Sequence, residues 1–442
     1  MTAGDPPAVP GMPSPPAQAA PAPAAASPSP TAPAAAPPAQ AAAPPVALYV
    51  HIPFCLSVCP YCDFVVYGGA TARGAGSRIP RFLLALRAEL DLRADALDER
   101  WPAREPLATV YLGGGTPSLL PAAAIADLLA HVQRRFGLAA GAEVTLEANP
   151  GVDDRGDLAG FAAAGVNRIS FGAQSLDARE LRALGRRHAP RDVADAVLAA
   201  RRAGITSINV DLLYDIPGGS ASAWIRSLDA ALALDLDHLS LYALTLDDPE
   251  AEGLTGTTGD HLPATAGARR WRDRARVRQD EDRAAEQYQL ATDRLATAGF
   301  RGYEISNWAR PGHESRHNLA YWERRPYEAA GPGAHAFDGA ARRWTAARLD
   351  QYLEALLPPD GGPLLPPGGG ETLDGPVSAA EAVILALRLD RGVPVGAGTR
   401  SPLAGQLDWA MAAGLLVHTG DDRLVLTTKG RLLSNELFAR LL

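Results

Sequence analysis

A chain of 442 residues, 47% of them hydrophobic, can build about two or three compact units with real cores. Its formal net charge of -8 argues against a nucleic-acid binder that works through bulk electrostatics. No apolar run approaches the roughly 18 to 20 residues that span a bilayer, and no basic stretch followed by an apolar one opens the chain, so neither a transmembrane segment nor a secretory signal is expected.

Residues 1–45 are rich in Pro, Ala and Ser without apolar periodicity, which reads as a disordered tail unable to offset its ordering entropy. The folded part is expected to begin with a strand in "VALYVHI". Further strand-like runs lie at 107–114, 142–148, 166–172, 205–213 and 236–244, separated by helical patterns at about 78–98, 121–136, 154–164, 190–203 and 221–234. This alternation, with near-continuous apolar strands, predicts an α/β fold. A parallel sheet covered by helices forms a partial (β/α)6 barrel over 46–250, with its chemistry at the C-terminal strand ends. Residues 252–282 are polar, rich in Arg and Asp, and read as an exposed loop or insertion; a helix follows at 283–298, inside a region (251–357) that completes the core. "PPDGGPLLPPGGG" (358–370) reads as a linker. Beyond it, helices near 377–388 and 403–413 and a hairpin of "LLV" and "RLVLT" predict a small winged-helix-like α/β domain over 371–442.

All three cysteines, Cys55, Cys59 and Cys62, fall in "CLSVCPYC". So small and odd a count makes no disulfide framework, and the cytosol, where thiols stay reduced, is the expected compartment. CxxxCxxC on a loop after the first strand offers three thiolates to one cluster. A 4Fe-4S cluster held by three thiolates leaves one iron without a protein ligand, the open position of a ligand-exchanging site. Two alternatives stand beside it: a Cys3His zinc site that adds His51, and accidental clustering.

With the aromatic Tyr61 before the last cysteine, this element resembles the radical SAM superfamily. The resemblance implies that the open iron binds S-adenosylmethionine (SAM). It continues in "YLGGGTPSLL", where Gly113, Gly114, Gly115, Thr116 and Pro117 follow the second strand as in the family's motif for the SAM amino group. Glycine at such a point lets the backbone approach a ligand. "LEANP" places Glu147 at the end of the third strand, "SFGAQS" places Gln174 at the end of the fourth, "LGRRH" supplies Arg186, and "NVDLL" puts Asp211 at the end of the fifth. Each alone reads as a capping or surface residue. Together with Tyr49 they resemble the SAM-contacting positions of oxygen-independent coproporphyrinogen III oxidase and its relatives. Glu147 and Asp211 suit the hydroxyl or amino donors of SAM, and Gln174 and Arg186 its ribose or carboxylate.

The oxidase carries a further cysteine two residues after the third, where Phe64 stands here. "RHNLAYW" supplies instead the HNxxYW element of the HemW subgroup. This resemblance spans nearly everything from Val46 to Leu442. It implies a chaperone that binds haem and hands it to an acceptor protein, membrane-associated or not. His317 would then be an axial ligand, with Tyr321 and Trp322 as flat faces for the macrocycle; on a helix His317 and Tyr321 share a face. The plain alternative is a hydrogen-bonded core histidine beside core aromatics. His335 in "GPGAH" is a weaker candidate for a second ligand, or a structural residue at a turn, and His313 reads as a loop residue. Three functions stay open: a haem carrier with a SAM-loaded cluster and no coproporphyrinogen oxidase activity, a radical SAM enzyme that decarboxylates coproporphyrinogen, and an iron–sulfur protein without turnover.

Overall fold

The computed structural model describes residues 41–246, 248–396 and 403–442. The expected tail therefore lies outside the described residues up to position 40. Just after it, Ala43 donates its N–H to the carbonyl of Asp338 at 2.8 Å.

Six strands alternate with helices: β1 (Ala47–Ile52), α1 (Ile79–Arg100), β2 (Leu107–Gly114), α2 (Ala122–Phe136), β3 (Leu138–Ala148), α3 (Leu158–Ala163), β4 (Arg168–Gln174), α4 (Ala178–Ala183), α5 (Pro190–Arg202), β5 (Ser207–Tyr214), α6 (Ala221–Leu232) and β6 (His238–Ala243). β1 to β6 neighbour one another in chain order and pair in parallel throughout. The local causes are those of a covered parallel sheet. Ile208, Val210 and Leu212 of β5 are fully buried, as strands covered by helices require. Pro190 opens α5, the Asp192 carboxylate accepts the Ala189 N–H at 2.7 Å, and Val193, Ala196, Val197 and Ala200 form its buried stripe.

The chain continues through α7 (Ala266–Arg276), α8 (Glu281–Thr297), β7 (Arg301–Gly302), β8 (Asn307–Ala309), α9 (Arg316–Trp322), β9 (Tyr327–Ala330), β10 (His335–Phe337), β11 (Ala341–Thr345), α10 (Leu349–Leu356) and β12 (Gly368–Thr372). β9 adds to β1 in parallel, β10 to β12 continue beyond it antiparallel, and β8 and β7 extend the β6 edge. The parallel centre is the partial (β/α)6 barrel that the alternation predicts, extended at both edges. The last segment has its own three-stranded antiparallel sheet (Val393–Pro394, Leu416–His418, Arg423–Leu426) and its own core, with Leu387, Leu407, Ala410 and Leu437 at its centre.

Two expectations need correction. Residues 252–282 are not simply loop, because α7 runs through them, capped by Thr265, whose side chain accepts the Ala268 N–H. Its buried residues are Arg272 and Ala275, so no apolar period marks it. The end of the expected linker pairs with β11 as β12. Propensity hides this strand because it begins with three glycines, but a Cβ on Gly368 or Gly369 would run into Trp344.

Packing also sets where the cysteine loop begins. Phe54, the residue before Cys55, is fully buried edge-on to Phe82 of α1 at 5.2 Å, and Phe82 in turn packs on Tyr352 at 5.8 Å. Truncating such a buried ring costs about 3–5 kcal/mol.

Candidate functional site

The cysteine loop leaves β1 and is closed at its base by Tyr67. Cys55 N donates to the Tyr67 carbonyl at 3.0 Å, and Tyr67 N donates to the Pro53 carbonyl at 2.7 Å. Helix α7 braces it: Arg272 donates to the carbonyls of Pro60 at 3.2 Å and Cys62 at 2.8 Å. Beside it Trp271 packs on Tyr61 and donates Nε1–H to the Ala183 carbonyl at 3.0 Å. None of the three thiols is in a disulfide. Burial pushes the Cys55 thiol up to about 11, partly opposed by Thr116, and burial raises Cys62 further. The bare loop thus holds Cys55 and Cys62 as neutral thiols, and a metal centre would take their protons' place.

Among the described residues no three His, Cys, Asp or Glu side chains stand close enough together to hold a single metal ion. His51 is turned to other work: Nε2 meets the Val65 carbonyl at 2.8 Å and Nδ1 the Tyr49 hydroxyl at 3.0 Å. Both ring nitrogens are used, so a Cys3His zinc centre does not fit. Three reduced thiols on a clamped loop beside a cation do fit an iron–sulfur cluster.

That cation is Arg186, part of a chain of contacts that joins two cysteines. Cys55 Sγ meets Thr116 Oγ1 at 3.4 Å, Asn149 donates to Thr116 Oγ1 at 2.9 Å, Arg186 donates to the Asn149 side chain, and Arg186 Nη1 lies 3.4 Å from Cys59 Sγ. Arg186 also donates to the Gly172 carbonyl at 2.6 Å, while its buried Nε has no hydrogen-bond partner. Burial opposes its charge, but Tyr61 and Cys59 outweigh burial and keep it more basic than a free guanidinium. Asn149 was missed in the sequence although it stands in the quoted "LEANP"; nothing in its spacing distinguishes it from a turn residue.

The other expected SAM positions surround the same interior. Gly114, with φ 104°, gives its N–H to Glu147 at 2.9 Å, and Tyr111 donates to the same carboxylate at 2.8 Å. A Cβ on Gly115 would lie 2.7 Å from the Phe54 carbonyl oxygen, and one on Gly114 would strike the His51 ring. The first need met by these glycines is thus close packing of the β1 end on the β2 end. Burial pushes the Glu147 carboxyl up to about 7, against its hydrogen bond from Tyr111. Asp211 sits inside β5 and not at its end; it accepts from Ser170 at 2.9 Å and Asn209 at 2.7 Å, and burial raises its pKa. Gln174 ends β4 with φ 69°, at an irregularity in the register with β5, a backbone kink that re-aims a side chain.

Tyr49 also lines a cavity of about 470 Å³, whose wall includes Phe64, Tyr321, Trp322, His261 and His335. The cysteine loop thus forms one wall and α9 another. His317 is not on that wall. It is buried, with Nδ1 at 2.7 Å from Thr109 Oγ1 and Nε2 at 2.8 Å from Tyr321 Oη, and burial lowers its pKa to about 3. The expected axial role thus meets an obstacle: neither nitrogen is free in this conformation, and the ring holds Tyr321 in place. The helical spacing of His317 and Tyr321 is as expected, but it joins them to each other.

The radical SAM superfamily profile matches residues 49–231. Heme chaperone HemW of Mycobacterium tuberculosis is 42% identical over 398 residues, covering 89% of this chain and 94% of that one. The chain belongs to the HemW family. Escherichia coli heme chaperone HemW is 35% identical over 322 residues, 70% of this chain and 77% of that one. In fold, this HemW-family chain resembles coproporphyrinogen III oxidase (HemN) from Escherichia coli, a radical SAM enzyme, with a TM-score of 0.71 and 22% identity over 90% of each chain. Among the described residues of this family member, no helix is long and apolar enough to cross a membrane.

Proposed function

We propose that this chain binds haem beside a SAM-liganded 4Fe-4S cluster and passes the haem to an acceptor protein. The observation that carries the reading is the shared cavity: Phe64, two residues from Cys62, and Tyr321 and Trp322 of the HNLAYW helix line one space of about 470 Å³. Flat aromatic faces suit a porphyrin, and the curated relatives named heme chaperones support the cargo.

Cys55, Cys59 and Cys62 would hold the cluster, whose open iron supplies a position for SAM. Tyr49, Tyr61, Gly114, Gly115, Thr116, Glu147, Gln174, Arg186 and Asp211 would line the SAM pocket. The residues' own work is binding and orientation. Arg272 and Tyr67 fix the loop, Arg186 sets a positive charge beside Cys59, and buried Glu147, by losing its proton, can supply the negative charge that pairs with a ligand cation. The cytosol, which keeps thiols reduced, suits this chemistry.

A second reading, decarboxylation of a coproporphyrinogen, is favoured by the same cavity, since a porphyrin there lies against the cysteine loop. Phe64 in place of the oxidase cysteine favours the carrier. Anaerobic reconstitution followed by a haem titration and a coproporphyrinogen assay on one sample separates them. Haem binding without porphyrinogen turnover is the expected result; turnover with SAM and a reductant makes the chain an enzyme, and absence of haem binding defeats the carrier.

A further inference from the structure

Two cavity-wall imidazoles have no part in the reading above. His261 and His335 share one carboxylate: His261 Nδ1 lies 2.9 Å from Asp260 Oδ1, and His335 Nε2 lies 2.8 Å from Asp260 Oδ2. The loop that carries Asp260 and His261 is pinned from both sides. His261 N donates to the Leu254 carbonyl at 3.2 Å, Trp344 Nε1 to the Thr258 carbonyl at 3.1 Å, and Ala347 N to the Gly259 carbonyl at 2.9 Å. The His335 ring stacks on Trp344 with a centroid separation of 6.1 Å.

When each ring gives an N–H to the carboxylate, each keeps a lone pair on its other nitrogen: Nε2 of His261 and Nδ1 of His335. Among the described residues neither of these two nitrogens has a hydrogen-bond partner. A carboxylate on one nitrogen, with the other left open, is how proteins fix the tautomer and raise the basicity of a metal-binding histidine. The two rings differ in access. Nδ1 is crowded by the Cβ branch next to it, which would press on a flat macrocycle, whereas Nε2 is at the outer edge. The other histidines of this region, His51 and His317, have both nitrogens engaged.

We propose that His261, oriented by Asp260, supplies the axial nitrogen to the iron of a haem held in this cavity; the assignment rests on the haem reading above. Asp260 is the positioning residue, and His335 its second partner. Coordination here uses the neutral imidazole lone pair and moves no proton.

The test is a ferric-haem titration of the full chain, reading the Soret band and the low-temperature EPR spectrum, with the parent, His261→Ala, His335→Ala, His317→Ala and Asp260→Asn proteins. His261→Ala is expected to lose the parent's ligand signature, and added imidazole should restore it, which separates a missing ligand from a misfolded protein. Asp260→Asn should weaken haem binding roughly 10-fold while keeping a histidine-ligated spectrum. His335→Ala should keep the signature. A parent-like spectrum in His261→Ala, or loss of the signature in His335→Ala or His317→Ala while His261→Ala retains it, overturns the assignment. If the parent binds no haem, the haem reading itself fails and this assignment with it.

Discussion

Arg186 Nη1 lies 3.4 Å from Cys59 Sγ, and the same guanidinium is anchored to the Gly172 carbonyl at 2.6 Å. A fixed positive charge therefore faces a sulfur of the candidate cluster loop from the end of the barrel.

A cation that close favours the more negative state of a cluster. Arg186→Ala should make the reduction potential of the reconstituted protein more negative and weaken SAM binding, with iron content retained. Each Cys→Ser change should instead strip or cripple the cluster, because a hydroxyl is a poorer ligand than thiolate. Redox titration and iron analysis read both, and an unshifted potential in Arg186→Ala would detach this residue from the cluster.

Arg272 is the strut of the cysteine loop, with its charged donor on the Cys62 carbonyl. Hydrogen bonds to a charged group contribute about 1.5–3 kcal/mol. Arg272→Ala should therefore lower the loop's order and the yield of reconstituted cluster, while the far-UV signal of the barrel stays. Hydrogen exchange at residues 55–66 checks it: unchanged protection would make α7 a bystander.

Glu147 predicts a pH dependence. Its folded carboxyl titrates at about 7 against an ordinary 4.5. The folded state thus holds this proton more tightly than the unfolded chain does. The stability this provides is present below pH 4.5 and is lost as pH rises through about 7, an effect of about 3 kcal/mol. Glu147→Gln should abolish this loss between about pH 4.5 and 7 in the SAM-free protein, the window of the shift. If the proposed SAM pocket sets the SAM amino group against Glu147, its charge favours the ionised form, and SAM affinity of the parent should rise with pH through the same range and stay flat in Glu147→Gln. A parallel slope in both proteins would move the amino-group site elsewhere.

Phe64 is 64% exposed although it sits at the cavity wall. Truncating it removes little from the core but takes a flat contact from a bound macrocycle. Phe64→Ala should leave the melting temperature unchanged and weaken haem binding up to about tenfold, near 1.4 kcal/mol. A full-strength titration would place the porphyrin away from the cysteine loop.

The strand–helix alternation from Ala47 to Ala243 was legible because its signals are local. Continuous apolar runs mark covered strands, stripes such as Val193, Ala196, Val197 and Ala200 mark helices, and CxxxCxxC is a spacing within one loop. What the sequence determined by itself is therefore the barrel, the family resemblance and the three thiols. The tertiary structure decided which polar atoms meet. Arg272 reaches Cys62 across 210 positions, and Asp260, on a loop, pairs its neighbour His261 with a His335 that belongs to β10. His317 shows the reverse case: its motif suggested a ligand, and packing against Thr109 and Tyr321 occupies both nitrogens. Gly114 and Gly115 looked like room for a ligand, and their first use is room for His51 and the Phe54 backbone. Apolar periodicity repeats within a few residues and so survives in one dimension, whereas hydrogen-bond partners are chosen by the fold, at sequence distances that carry no pattern.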